Sequence, residues 1–217
     1  MKTRFGDDHN LEWFKEHGFI SWPKRVEEAY WQPFVKARSS IYNEWLVEYA
    51  EKVKAICEPR NFQLAWEQYT PLITYFPSII NKTGDNEFDM LAFGYRDILH
   101  NASSTQELPW LYEVSNMNPF TFNAIMNLKT AQKKGIRDGD IITIKNRVGQ
   151  KTKARVHTVE GIHPETIAMT HGGGHWLEGH PAKGQGGLLN NLLEVDWDHF
   201  CPITQNIETA ARVKVYK

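Results

Sequence analysis

The sequence predicts an α+β protein, mainly β, in which a small closed barrel follows an N-terminal arm of helical and extended segments. Three observations carry this expectation. Short β-prone segments recur at close intervals in the second half, separated by turn dipeptides. One long amphipathic helix pattern stands in the first half. Eight Trp, eight Tyr and eleven Phe make a heavy aromatic load, and many of them precede the barrel. The expected boundaries are 1–85 for a docking arm and 86–217 for the barrel.

From Asn10 to about Arg60 the pattern is helical, most clearly over Ser39 to Cys57. There Ile41, Trp45, Leu46, Tyr49, Val53 and Ile56 recur at spacings of three and four, with Ser39 and Ser40 as N-cap candidates and Pro59 as the stop. Asn61 to Lys82 is irregular and aromatic, with Pro71, Phe76 and Pro77, which suits an extended arm lying on an apolar surface. Gly84-Asp85-Asn86 marks a break. Phe88 to Phe93 predicts a buried strand. Thr121 to Lys134 predicts a helix with Phe122, Ile125, Met126 and Ala131 on its apolar side, basic Lys133 and Lys134 at its C-terminus and Gly135 just beyond. Strands are then expected at Ile141–Ile144, Ala154–Thr158, Thr166–Met169 and Ala211–Tyr216. Asp138-Gly139, Val148-Gly149 and Glu160-Gly161 supply turns between the earlier ones.

Composition narrows the function classes. With 41% apolar residues, 24% charged residues and a net charge of -1, the chain has no basic surplus to neutralise a phosphate backbone, which argues against nucleic acid as its main partner. No apolar run approaches the ~18 residues of a membrane span, and the N-terminus lacks the apolar stretch of a secretory signal. Cys57 and Cys201 are too few and too far apart for a disulfide framework or a Cys-rich metal cluster, and small packing roles are expected for both. A cytoplasmic setting is expected, or a periplasmic one on co-export with a partner.

Three polar clusters carry the candidate chemistry. The first follows the strand that leads to Gly94-Tyr95-Arg96 and comprises His100, Asn101, Ser103, Ser104 and Thr105. Short hydroxyl and amide stems after a strand suit phosphate oxygens and heterocycle edges, and Arg96 adds a charge-assisted donor. The second is His171-Gly172-Gly173-Gly174-His175-Trp176. Dense glycine lets backbone N–H groups approach a bulky ligand, histidine adds donors and Trp a stacking face. Zinc ligation is not expected here, because three adjacent glycines fix no ligand geometry. The third pairs Asn190-Asn191 with Gln205-Asn206, whose amides match the edge of a guanine or pterin. Taken one at a time, each cluster also suits an ordinary polar loop or turn. No nucleotide-binding glycine motif, Walker loop or His-Glu-x-x-His motif is present, and no catalytic residue or metal ligand is assigned.

The order of these clusters resembles one family. Gly94-Tyr95-Arg96, His100, Ser103-Ser104-Thr105 and Pro109-Trp110-Leu111 are similar to the opening of the dinucleotide-binding domain of the dimethyl sulfoxide reductase family. Asn118-Pro119, Lys129-Thr130-Ala131, Gly135-Ile136-Arg137-Asp138-Gly139-Asp140 and Gly161-Ile162-His163-Pro164-Glu165 resemble its middle blocks. The glycine-rich His-Trp loop, the Asn pair, and Pro202-Ile203-Thr204 through Arg212-Val213-Lys214-Val215 resemble its end. The likeness runs from Asp89 to Lys217, with fainter similarity over Phe34 to Glu51.

The resemblance implies a double-psi β-barrel that covers a bis-molybdopterin guanine dinucleotide cofactor carrying molybdenum or tungsten. By the same implication Gly94, Arg96, His100, Asn101, Ser103, Ser104, Thr105, Asn118, His171, Gly173, Gly174, His175, Trp176, Asn190, Asn191, Gln205 and Asn206 contact that cofactor. Two departures stand out. Ala102 and Gln106 occupy places where many relatives carry His and Asn, and the metal-ligating and Cys-rich iron–sulfur motifs of full-length members are not in this stretch. The resemblance therefore implies a C-terminal subunit or fragment, inactive alone. Its implied partners are a catalytic chain and an iron–sulfur electron-transfer subunit, and its implied setting is anaerobic respiration. Two rivals are a β-barrel interaction module that has lost the cofactor and a freestanding hydrolase or metalloenzyme built on the His-rich loop.

Overall fold

Six strands close a barrel in the computed structural model, which describes residues 8–21, 23, 25–26, 42–72, 74–82, 86–101, 104–176 and 181–217. They are β1 (Met90–Tyr95), β2 (Asn123–Asn127), β3 (Ile141–Asn146), β4 (Lys151–Val159), β5 (Thr166–Thr170) and β6 (Ala210–Tyr216). Their order around the barrel is β1-β5-β2-β4-β3-β6, closing back on β1. Two pairs are parallel, β1 with β5 and β2 with β4, and the remaining neighbours are antiparallel. Burial alternates along β3 and β6, as period-two side-chain placement requires. Met90, Ala92, Ala124, Met126, Ile142, Ile144, Val156, Ile167, Met169 and Val213 meet inside as one core.

All the expected strands form, but the helix expected over Thr121–Lys134 does not. Residues 123–127 are β2, wedged between β4 and β5, and only Leu128–Lys133 is helical. The reason is local. Ala124, Ile125 and Met126 are all buried, so β2 is covered on both faces and shows no alternation. A short continuous apolar run has the same appearance in a buried strand and a buried helix. Asn127 then switches the backbone: its Oδ1 accepts from the amides of Lys129 and Thr130, capping the helix, while its Nδ2 donates to the carbonyl of Ile162 at 2.8 Å. Gly135, at φ 68°, ends that helix where the sequence placed its stop.

The chain divides into two compact units, Met1–Ile41 and Tyr42–Lys217. In the first, helix α1 (Leu11–His17) starts at Asn10, whose side chain accepts from the Trp13 amide, and ends at Gly18. The indole of Trp13 stacks on His17 at 4.2 Å. In the second unit, helix α2 (Glu44–Cys57) occupies the later part of the predicted amphipathic stretch; Ser39, Ser40 and Ile41 lie outside the described residues. Only Leu46 and Ala50 of α2 are buried, against Tyr69, Trp66 and Ile203. Trp45, Tyr49 and Ile56 stay exposed. The irregular stretch after α2 folds onto the last part of its own unit. The Tyr69 hydroxyl donates to the Pro202 carbonyl at 2.6 Å, Ser78 pairs with Glu208, and Arg212 Nε donates to the Ile80 carbonyl at 2.9 Å. Both cysteines are free and half-buried rather than packed away.

Two outcomes follow from the turns. Asn127→Ala removes the cap and takes the side-chain donor from the part-buried Ile162 carbonyl, and is expected to cost about 1–3 kcal/mol in urea unfolding. The Asp138 carboxylate accepts from the Thr158 amide, the Thr158 hydroxyl and His157, and the Thr158 amide above all holds its pKa below the usual carboxylate value. A lowered folded-state pKa contributes stability above the unfolded value of about 3.9 and loses it as pH falls through the folded pKa. Asp138→Asn should therefore flatten the acid limb of the wild-type stability profile, measured as the urea midpoint between neutral and strongly acidic pH.

Candidate functional site

Parallel pairing brings two loops to one rim of the barrel. Because β1 and β5 run side by side with Tyr95 opposite Thr170, the residues that follow them, Arg96 and His171, emerge at the same end. The His171 amide extends the ladder by donating to the Tyr95 carbonyl at 2.9 Å. Gly94 makes room for the rest. A Cβ there would lie 2.6 Å from the His171 ring and 2.7 Å from the Leu189 side chain, so both side chains rest on the bare strand backbone.

The glycine-rich loop is paired rather than free. The Gly174 amide donates to the Gln185 carbonyl at 2.7 Å, and the Gly184 amide donates to the His175 carbonyl at 2.6 Å. Gly174 has φ 79°, and a Cβ on it would meet the Leu188 backbone nitrogen at 2.5 Å. Its missing side chain thus serves the contact between loops. Leu189 and Leu192, on the 3₁₀ turn Leu189–Leu192, plug into the barrel core. The fully buried Asn146 ties this turn down, its Nδ2 donating to the Leu192 carbonyl at 3.0 Å and to Gln150 Oε1 at 2.8 Å, while its Oδ1 accepts from the Gln150 amide.

A cavity of about 350 Å³ opens between these loops, lined by Arg96, His171, Gly172, Gly173, His175, Leu188, Leu189 and Asn190. Of the residues expected to share a site, it unites Arg96, His171, Gly173, His175 and Asn190. Arg96 is exposed, and among the described residues its guanidinium has no carboxylate or carbonyl partner. A cation, two imidazoles, an amide and glycine backbone lining one cavity form a donor-rich surface suited to an anionic or heterocyclic group.

The other expected residues go elsewhere. His100 is buried with both ring nitrogens engaged, Nδ1 at 3.1 Å from Thr105 Oγ1 and Nε2 at 2.7 Å from Ser115 Oγ. Ser115 Oγ donates to the Leu111 carbonyl, so it accepts from His100, which places the imidazole proton on Nε2. Thr105 then donates to Nδ1 while accepting from the Asn101 amide, and Ser104 donates to the Asn101 carbonyl. This network shapes the loop that follows Arg96. Asn118 turns back to accept from the Phe120 amide, and Asn191 donates to the Lys151 carbonyl. Trp176 is exposed. Gln205, at φ 59°, and Asn206 form the turn after Cys201, with Asn206 lining a different cavity. Ser103 lies outside the described residues.

The sequence did not single out Leu188 or Leu189 as builders of the site, and marked Gln106 only as a departure from the family pattern. Two leucines directly after Gly186-Gly187 were a usable signal, since apolar pairs in a polar loop imply a buried anchor. Gln106 is fully buried, donates to the His171 carbonyl at 3.2 Å and leaves its Oε1 without a partner among the described residues. Tyr95 lines a separate apolar cavity with Phe93, Phe120 and Ile162: its phenol donates to the Phe120 carbonyl, and burial, then the Asp97 charge, pushes its pKa well above the usual range.

Residues 91–211 match the family described as Molydopterin dinucleotide binding domain. The chain belongs to this family. It is the C-terminal dinucleotide-binding region of the dimethyl sulfoxide reductase family. It is similar to the arsenate respiratory reductase molybdopterin-containing subunit ArrA of Shewanella sp. (strain ANA-3), 32% identical over 125 residues, covering 52% of this chain and 14% of that protein. The ArrA of Chrysiogenes arsenatis is 24% identical over an alignment of 227 residues, covering 94% of this chain and 26% of that protein. The chain thus spans about a quarter or less of the curated relatives it matches. The acetylene hydratase of Pelobacter acetylenicus shares the fold at TM-score 0.55 and 17% identity, over 75% of this chain and 22% of that one. Among the described residues no helix is long and apolar enough to cross a membrane.

The seating of His171 can be tested directly. Gly94→Ala should push His171 and Leu189 off β1 and cost about 1–3 kcal/mol in urea unfolding, with the His171 ring resonances shifting by NMR while those of His157 stay in place.

Proposed function

We propose that this chain supplies the C-terminal cap over a bis-molybdopterin guanine dinucleotide cofactor, binding it through the cavity beside Arg96 and completing the active-site funnel with a separate catalytic chain. The observation that carries this reading is the Arg96 guanidinium, which has no carboxylate partner among the described residues, lining one cavity with His171, His175, Asn190 and glycine backbone. Such a donor set fits a diphosphate or the edge of a pterin. Gln106, buried behind the His171 carbonyl, keeps the loop in place.

When bound, the cofactor would supply oxygen-atom or hydride-equivalent transfer chemistry, and the residues of this chain would position it. Arg96 holds negative charge, His171 and His175 offer ring N–H donors, and Asn190 meets a heterocycle edge. The His100 network sets the path of the Arg96 loop without reaching the ligand itself. Leu188 and Leu189 exclude water from the cavity floor. The chain is inactive alone, because the metal's protein ligand lies in the upstream part of the enzyme. An iron–sulfur subunit is a further partner, and anaerobic respiration is the setting of the whole enzyme, a reading supported by the word respiratory in the name of the ArrA relatives. The barrel is read as double-psi on the strength of its two parallel strand pairs. The first 85 residues are read as the arm that docks on the catalytic chain, which the exposed Trp45 and Tyr49 support.

Co-expression with the upstream catalytic polypeptide tests this reading. The purified assembly should contain pterin, guanine nucleotide and metal. Arg96→Ala should weaken cofactor retention by about tenfold to a hundredfold, the worth of one charge-assisted contact of about 1.5–3 kcal/mol. An intact, active assembly without pterin would overturn it.

A further inference from the structure

The loop that leaves the barrel core after Leu192 carries a histidine clamped in a defined way. Leu192 is buried and Leu193 packs against the core, which places Glu194 just outside it. Asp196 then caps the 3₁₀ turn Trp197–His199, its Oδ1 accepting from the amides of Asp198 and His199. The same oxygen lies 2.7 Å from His199 Nδ1. This contact puts a proton on Nδ1 and leaves Nε2 as the free, lone-pair nitrogen of the neutral ring. The turn is held from both sides, by Glu208 donating to the His199 carbonyl at 2.8 Å and by the edge-on packing of Phe62 against Trp197 at 4.4 Å.

The geometry points to a site for a single divalent cation of the zinc type, bound by His199 Nε2 and the Glu194 carboxylate, with Asp196 as the positioning residue. The His199 side chain is only 10% exposed and that of Glu194 only 15%. Nε2 and Glu194 Oε2 are 3.6 Å apart, too long for a hydrogen bond. That spacing suits two ligands on one ion: with metal–nitrogen and metal–oxygen distances of about 2.1 Å, neighbouring corners of a tetrahedron lie about 3.4 Å apart. No other described residue bonds the Glu194 carboxylate. A carboxylate–histidine–metal relay, in which the ring's second nitrogen donates to an acid, is how proteins orient metal-binding histidines. The ligand atoms of Glu194, Asp196 and His199 lie within 4.8 Å of one another, and two carboxylates with a neutral imidazole balance a 2+ charge. Imidazole with carboxylate suits zinc and its first-row neighbours rather than calcium. Solvent completes the sphere.

The test is calorimetric titration of the full chain with Zn²⁺, together with the visible ligand-field spectrum of the Co²⁺ form. Wild type should take up one ion at this site. Asp196→Ala should weaken binding by about tenfold or more, and Asp196→Asn, whose amide oxygen still accepts from Nδ1, should restore most of it. Glu194→Gln and His199→Gln should weaken it further, with folding checked by circular dichroism. Glu194→Gln is isosteric and keeps the test open if His199→Gln unfolds. Undiminished affinity in Glu194→Gln, no ion uptake by wild type, or loss of binding in a His171→Ala/His175→Ala variant alone would overturn the proposal.

Discussion

The rim of this barrel depends on a side chain that is not there. At Gly94 the β1 backbone is bare, and onto it rest the His171 ring from one loop and Leu189 from another. Both side chains line the cavity beside Arg96. The parallel register of β1 and β5 decides which residues arrive there, and the empty volume at Gly94 decides how closely they settle. Any larger residue would wedge the loops apart, and the donors of the cavity wall would no longer converge.

Much of the barrel was legible in the sequence, because β1, β3, β4, β5 and β6 are β-prone and glycine-bearing turns at Gly139, Gly149 and Gly161 bound β3 and β4 and precede β5. What escaped was β2. A strand covered on both faces loses the alternation that marks its neighbours, and Ala124-Ile125-Met126 followed by a true helix resembles a single helical run. The site was legible in part. Arg96, His171, His175 and Asn190 drew notice as polar residues in polar loops, and the fold does gather them. His100 drew notice on the same ground, yet its ring is fully occupied by Thr105 and Ser115. Residue type does not say whether a donor faces a ligand or a neighbour; that depends on pairings between residues far apart in the chain. Of the triple glycine, Gly172 and Gly173 line the cavity, and Gly174 permits close contact with Leu188.

Buried polar groups do much of the positioning. Asn146 satisfies its amide against Gln150 and Leu192, and so connects the β3–β4 hairpin to the turn that carries Asn190. The His100 network performs the same service for the loop after Arg96. Networks of this kind give little net stabilisation but penalise every alternative arrangement, because a partner lost in the interior is not replaced by water. They explain how loops dense in glycine, with high intrinsic freedom, can hold a defined rim.

The closure of the barrel has a kinetic side. Met90 and Leu91 of β1 pair with Val213 and Arg212 of β6, and Asn146 of β3 also pairs with Val213. One strand from the far end of the sequence thus seals two edges at once. Until it arrives, β1 and β3 expose unsatisfied amides and carbonyls, and contacts so distant along the chain form slowly. A ribosome-bound chain halted short of residue 210 would be a sheet with open borders, its β1 and β3 edges open to pairing with another copy.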